Sequence, residues 1–396
     1  MTITIHKGAN KIGGSITEIS SGGSRIVIDF GADLPGVDKA SEKINSEFEI
    51  DGVTRGEPNC DAVILTHYHG DHIGLYEKIL PEIPIYIGDT AKKINLVLTK
   101  WLADHRHVSQ AALSRAGGFH TYRADERLTF GNITVTPYYT DHSALDAYML
   151  LIEADGKRVL HTGDFRTHGT FGAGVMKCLK HYVSKVDAVI CEGTRIDQTA
   201  PPMTLWELES EAAKLMNETK YTFVLCSSTN IDHIRAMHRA AKQNFRMFIC
   251  DGYQMNVLKT VTAAGFYDFD YIFTYDTNLD SHIAERGFCW LVRANGLDDD
   301  SIEKYRDSSL LIYSMWMGYL NGVFRNEKTA RFVENFPKSV YLHTSGHASR
   351  GAIKDVLETV KPEIVIPIHT ERSKLFEGVC ARSKTIYLND GESFAL

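Results

Sequence analysis

At 396 residues, with 43% hydrophobic and 23% charged side chains, the chain is long enough for two domains, or for one large domain carrying an insertion. A net charge of −7 without a long Lys/Arg run excludes a general coat for nucleic acid, whose affinity comes mostly from neutralising phosphates. No apolar run approaches the roughly 20 residues of a membrane helix, Met1 to Lys7 reads as a strand and not a signal peptide, and seven cysteines with no Cys-x-x-Cys pair point to a reducing compartment, with the cytoplasm as the expected location.

The first residues alternate in strand fashion through Ile3, Ile5, Ile16 to Ile19 and Arg25 to Phe30, with Gly22-Gly23 as a hairpin turn. Asp61 to Leu65 is a short apolar strand, and Ala91 to Leu113 has a helical pattern. Strands are expected at Ile133 to Thr136, Ala147 to Ile152, Arg158 to Leu160 and Ala188 to Ile190. From Pro201-Pro202 the style changes. Apolar strands at Tyr221 to Leu225, Phe245 to Ile249, Tyr271 to Phe273 and Leu310 to Tyr313 alternate with helices, which means a parallel α/β layer. The first style resumes after Pro337, with strands at Val340 to Leu342, Ile364 to Ile366 and Thr385 to Leu388. The expected division is 1–200 and 337–396 for one metal-binding domain, interrupted by an α/β insertion at 201–336.

Thr66-His67-Tyr68-His69-Gly70-Asp71-His72 follows the Asp61 strand and crowds metal-ligand side chains together. Packing alone does not explain such a run, because buried ionisable groups are costly unless an electrophile holds them. His67 and His69, two apart in extended backbone, project the same way and can share one ion. Asp71 and His72 follow the turn at Gly70 and can reach a neighbouring ion. Three further candidates stand just past predicted strands: His142 in Asp141-His142-Ser143, Asp164 in Thr162-Gly163-Asp164, and His369 in Pro367-Ile368-His369-Thr370. The two oxygens of Asp164 suit a bridge. Imidazole and carboxylate ligands suit zinc, and also manganese or iron.

This set, His-x-His-x-Asp-His, then a lone His, a Thr-Gly-Asp and a last His, resembles the metallo-β-lactamase superfamily. Cys191-Glu192-Gly193-Thr194, Ser345-Gly346-His347 and His369 in Pro-Ile-His-Thr-Glu resemble the three diagnostic motifs of its β-CASP nucleases, and the opening Lys11 to Gly14 and Val27 to Gly31 look most like the RNase J group. The resemblance implies an α/β fold, a metallo-β-lactamase αββα sandwich with an inserted parallel α/β β-CASP domain, and a metal-dependent ribonuclease activity. It implies two divalent ions, most simply zinc with manganese as the alternative. His67, His69 and His142 would hold one, Asp71, His72 and His369 the other, and Asp164 would bridge them. Two ions about 3.5–4 Å apart can generate hydroxide and clamp a phosphodiester. The expected catalytic set is His347 as general acid to the leaving oxygen, Glu192 orienting it or a ligand histidine, and Asp71. A histidine at position 369 tilts the substrate towards RNA.

Ser227-Ser228-Thr229-Asn230 resembles a turn that this group places beside its substrate, so Ser227, Ser228, Asn230 and Ser345 are expected substrate contacts, with His233 and Arg235 facing the cleft. A plain helix cap is the alternative for the turn. Where the group carries a Gly/Ser-rich phosphate loop, this chain has Tyr313 to Tyr319, and Trp316 and Tyr319 suit stacking on a base or packing at a domain seam. The chain also ends soon after the closing strand, as expected for a core without the group's C-terminal domain. His105, His107, His161 and His343 are expected to be structural. Expected partners are an RNA substrate and a second copy of the chain, with no membrane. The rival readings are a dinuclear hydrolase of a small phosphodiester or ester, and a non-catalytic RNA-processing subunit.

Overall fold

Ile3 with Ile5 and Ile26 with Ile28 recur at a spacing of two, so the strands that carry them have one face that must be buried. In the computed structural model, which describes residues 1–34, 40–294 and 300–396, they lie on β1 (Thr2–Lys7), β2 (Ile16–Ser21) and β3 (Ser24–Ile28). β2 and β3 form the expected hairpin, in which Gly22 and Gly23 have φ of +57° and +88°. β4 (Ala62–Ile64), β5 (Ile85–Gly88) and β6 (His120–Tyr122) extend the sheet in parallel from β3.

A second sheet is built from β7 (Leu128–Phe130), β8 (Ile133–Tyr139), β9 (Tyr148–Ala154), β10 (Lys157–His161) and β11 (Ala188–Glu192). The chain then forms six parallel strands, β12 (Tyr221–Leu225), β13 (Met247–Ile249), β14 (Ile272–Phe273), β15 (Phe288–Val292), β16 (Leu310–Tyr313) and β17 (Ser339–Tyr341), in the order β14-β13-β15-β12-β16-β17. On its return, β18 (Ile364–Ile368) pairs with β11, β19 (Lys384–Thr385) adjoins β18, and β20 (Glu392–Ala395) pairs with β1. Two seven-stranded sheets and one of six strands result.

The chain divides into two compact units, Met1–Pro201 with Gly346–Leu396, and Pro202–Ser345. In the first, Ile5, Ile28 and Ile64 of one sheet meet Val135, Leu150, Ile190 and Ile366 of the other in a shared core. The opposite face of the second sheet, through Met149, Leu151, Leu160 and Val189, is covered by Val175 and by Ile353, Val356 and Val360 of helix Arg350–Val360. Helix Asp89–Asp104 packs on β5 and β6. Helix, sheet, sheet and helix make the αββα sandwich. The second unit has its own core around Phe223, Phe288, Trp290 and Phe332.

Two expectations need correction, and the helical pattern from Ala91 to Leu113 is borne out in finer detail. The second boundary falls after Ser345, not at 336/337, because β17 hydrogen-bonds to β16 of the second unit. Ala91 to Leu113 is two helices, Asp89–Asp104 and Gln110–Gly117; Arg106 turns left-handed at φ +60° and the Ser109 hydroxyl accepts from Ala112 N to start the second. The closing strand is β20 and not Thr385 to Leu388: it lies at the sheet edge with only Phe394 half-buried, so its alternation is faint.

β8, β10, β11 and β18 all run in one direction, as do β3 to β6, so the loops that leave their carboxyl ends gather at shared sheet edges. The chain leaving β3 is laced to the loop leaving β4: Phe30 N donates to His72 O at 2.7 Å, Ala32 N to Gly70 O at 3.1 Å, and Ser15 N to Asp71 O at 2.9 Å. A Cβ at Gly31 would overlap the carbonyl oxygen of Asp71. Gly31→Ala should therefore cost about 1–3 kcal/mol. Urea unfolding and metal analysis check this, and an unchanged midpoint with full metal would refute the contact.

Candidate metal centre

Backbone geometry places the first ligands. After a bend at Thr66 the chain reaches His69 in extended backbone (φ −69°, ψ 147°), and the short helix Gly70–Ile73 then swings Asp71 and His72 around. His67, His69 and His142 meet with ring centroids 4.7 to 4.9 Å apart. His142 Nε2 stands 3.1 Å from His69 Nδ1. Nitrogens around one tetrahedral zinc, bound at about 2.0–2.1 Å, would be separated by a similar distance. His67 Nε2 is buried with no hydrogen-bond partner among the described residues.

The second group is Asp71, His72, Asp164 and His369. His72 Nε2 lies 3.1 Å from Asp164 Oδ2, and His369 Nε2 lies 3.2 Å from Asp71 Oδ2. Asp164, a member of this group, also adjoins the first: its Oδ2 is 4.0 Å from His67 and 3.9 Å from His142, while its Oδ1 is 3.8 Å from His369. That Oδ1 is also buried without a hydrogen bond among the described residues. The seven side chains fit divalent metal: their unsatisfied atoms converge, and the donor set is nitrogen and oxygen.

The electrostatics agree. Burial and neighbouring imidazoles push His67 well below its ordinary pKa, and burial lowers His142 likewise and His69 to about 4. These rings are neutral and keep a lone pair for a cation. Burial opposes charge on His72, yet Asp164 and Asp29 on either side hold its pKa well above the ordinary value. His72 therefore carries a positive charge between two carboxylates, which a metal ion at Nε2 would supply instead. Burial raises the carboxyls of Asp71 and Asp164, but the facing histidines outweigh it and hold both well below the usual range.

Around the ligands lies a layer that the sequence reading did not assign. Asp29, fully buried at the end of β3 with φ +58°, takes His72 Nδ1 at 2.7 Å and accepts Thr66 N at 2.7 Å. Thr66 Oγ1 bonds Asp29 and stands 3.0 Å from His67 Nδ1. His142 Nδ1 donates to Gly346 O at 2.7 Å, and Thr194 Oγ1 is 2.8 Å from His369 Nδ1. Each contact occupies the ring nitrogen away from the cluster and fixes which nitrogen remains for metal. Asp29 ending a strand, with Thr66 before His67, was the available signal.

His347 stands at the open side of the cluster, 22% exposed, with Nδ1 3.6 Å from Asp164 Oδ2 and 3.4 Å from Glu192 Oε1. Burial opposes its charge, but Asp164 and Glu192 raise its pKa to about 9. Glu192, at the end of β11, also accepts Thr194 N at 2.9 Å and Ala348 N at 3.2 Å. His161 is a buried strand residue, and exposed His105 stacks on Trp101 at 4.3 Å.

The other expected contacts belong to the second unit. Ser227 is exposed, Ser228 Oγ accepts from Gln254 Nε2 at 3.3 Å, and Asn230 caps helix Ile231–Gln243 by accepting from His233 N. Ser345 is half-buried at the end of that unit. His233 does not face a cleft: it is 0% exposed, held 3.0 Å from both Ser314 Oγ and Thr344 O. Arg235 lies over the Tyr267 ring.

Comparison with known proteins agrees with this geometry. Residues 10–176 match the metallo-β-lactamase superfamily. The chain carries a metallo-β-lactamase superfamily domain. Residues 338–376 match the Zn-dependent metallo-hydrolase RNA specificity domain. The chain is similar to Ribonuclease J of Helicobacter pylori, 22% identical over 93% of this chain and 56% of that protein. Ribonuclease J of Mycoplasma pneumoniae is 22% identical over 98% of this chain and 73% of its own. The chain spans 56% to 60% of the length of the Helicobacter pylori relatives. A crystal structure of a protein of unknown function from Enterococcus faecalis V583 superposes with a TM-score of 0.78 at 19% identity, covering 100% of this chain and 99% of that one, a likeness of fold.

Two substitutions test the metallo-β-lactamase centre. Asp164→Ala should release at least one equivalent of metal by elemental analysis; full retention would sink its shared role. Asp29→Asn leaves every ligand in place but weakens the hold on His72, and should lower metal affinity about 10–100-fold in chelator competition.

Proposed function

We propose that the chain is a metal-dependent ribonuclease that hydrolyses RNA phosphodiester bonds at two divalent ions, zinc or manganese. The observation that carries this reading is the pair of ligand clusters joined through Asp164, with a partly exposed imidazole, His347, beside them. Similarity to ribonucleases and the RNA specificity match over residues 338–376 support RNA as substrate. Bound there, two ions would activate water and neutralise the charge that grows on the phosphoryl oxygens.

The protein's own residues supply the rest. His67, His69 and His142 form one cradle and Asp71, His72 and His369 the other. Asp164 stands between them, with Oδ2 4.0 Å from His67 and 3.9 Å from His142 and Oδ1 3.8 Å from His369, so it would serve both. His347 holds a proton against Asp164 and Glu192, and its exposed edge can deliver that proton to the leaving 3′-oxygen. Glu192 is the positioning residue: with Thr194 N and Ala348 N as donors its carboxylate cannot swing away from His347. The seven free cysteines suit a reducing compartment, the cytoplasm.

The test is cleavage of matched end-labelled RNA and DNA strands, with 5′-phosphate or 5′-hydroxyl ends, by metal-loaded protein. His347→Ala should lower the rate on RNA by about 10²–10⁴-fold with metal content unchanged. Loss of metal in that variant would make His347 structural. Silence on every strand with both ions bound would favour a small phosphodiester as substrate.

A further inference from the structure

The cations around the metal centre are nearly all neutralised. Lys7 lies 3.2 Å from Asp33, and Lys11 lies 2.9 Å from Asp33 and 3.6 Å from Asp390. Arg166 is buried against Asp141 at 2.6 Å, Arg372 faces Asp197 at 3.5 Å, and Arg350 donates to Leu375 O. Arg195 differs. It is half-buried, yet its guanidinium has no hydrogen-bond or ion-pair partner among the described residues. A cation with no anion beside it keeps its charge available to an incoming one.

Its backbone position is fixed at the centre. Arg195 directly follows Thr194, which is hydrogen-bonded to His369, and pairs in an isolated bridge with Ser349, two residues past His347. Ser349 in turn caps helix Arg350–Val360, so this bridge is anchored on both sides. We infer that Arg195 binds a backbone phosphate of RNA next to the one that is cut. The inference rests on the ribonuclease reading. A planar guanidinium fork matches two phosphate oxygens and is fully charged at any working pH. It also answers a difficulty: with a net charge of −7, the chain as a whole repels RNA, so attraction must be local.

The experiment uses metal-loaded full-length protein. RNA affinity is measured against salt in the His347→Ala background, where strands are not consumed, and KM and kcat are measured with His347 intact. Arg195→Ala should weaken RNA binding and raise KM roughly tenfold, and flatten the slope of log affinity against log salt by about 0.7. Arg195→Lys should restore the slope but only part of the affinity, since a point charge replaces a fork. Metal content and melting temperature should not move. An Arg195→Ala protein that binds with wild-type affinity and slope would overturn the inference and leave the ribonuclease intact, as would one that loses metal. A wild-type protein that neither binds nor cuts RNA would remove the ribonuclease reading and this inference with it.

Discussion

The structure depends on one arrangement: His72 is clasped between the carboxylates of Asp29, at 2.7 Å, and Asp164, at 3.1 Å, with all three buried. Two buried anions so close would repel each other and forfeit their hydration unless positive charge stands between them. A proton on the ring can provide it, but only half of the need is met, because Asp164 Oδ1 and His67 Nε2 still lack partners. A divalent cation satisfies these atoms together. Metal binding is thereby tied to folding of the whole edge of the sandwich, and each ligand's protonation is tied to metal occupancy.

Strand direction makes such a meeting feasible. Thr66–His72, His142, Asp164 and His369 follow the carboxyl ends of β4, β8, β10 and β18, and Glu192 closes β11. Rigid strands limit how far such groups can drift. The close fit has a local cost. His369 and Asp29 adopt left-handed backbones, at φ +51° and +58°, each worth about 1–2 kcal/mol for a residue with a side chain. Tertiary hydrogen bonds hold them there: His369 N donates to Gly8 O at 2.7 Å and Asp29 N to Ile64 O at 3.0 Å. The strain aims His72's partner and the last ligand, and sheet packing sustains it.

These features explain what could be read from the chain. Ligand histidines are legible because three of them share one motif with Asp71 and have no packing role there, and because the ligands follow apolar runs that must be strands. The alternating strand β1 and the continuous apolar run of β9 are legible as strands. Asp29 is harder, since a single carboxylate at a strand end is common, and its importance lies in contacts across residues 64 to 72. Gly346 contributes through its carbonyl, and a backbone acceptor has no sequence signature. β20 escapes because a short edge strand buries little, so period-two alternation is weak. His233 misleads in the other direction: it follows a Ser-Asn turn as a substrate-facing residue would, but Ser314 and Thr344 bury it.

The loop after β16 is closed by its own aromatic side chains. Trp316 lies over Gly318, where any Cβ would collide with the indole, and meets Tyr319 at 5.5 Å and Phe324 at 5.4 Å. A loop stiffened by its own aromatic contacts has few backbone amides free to converge on an anion. Capture of a terminal phosphate at this loop is therefore disfavoured, whereas the metal cluster in the other unit is complete in itself.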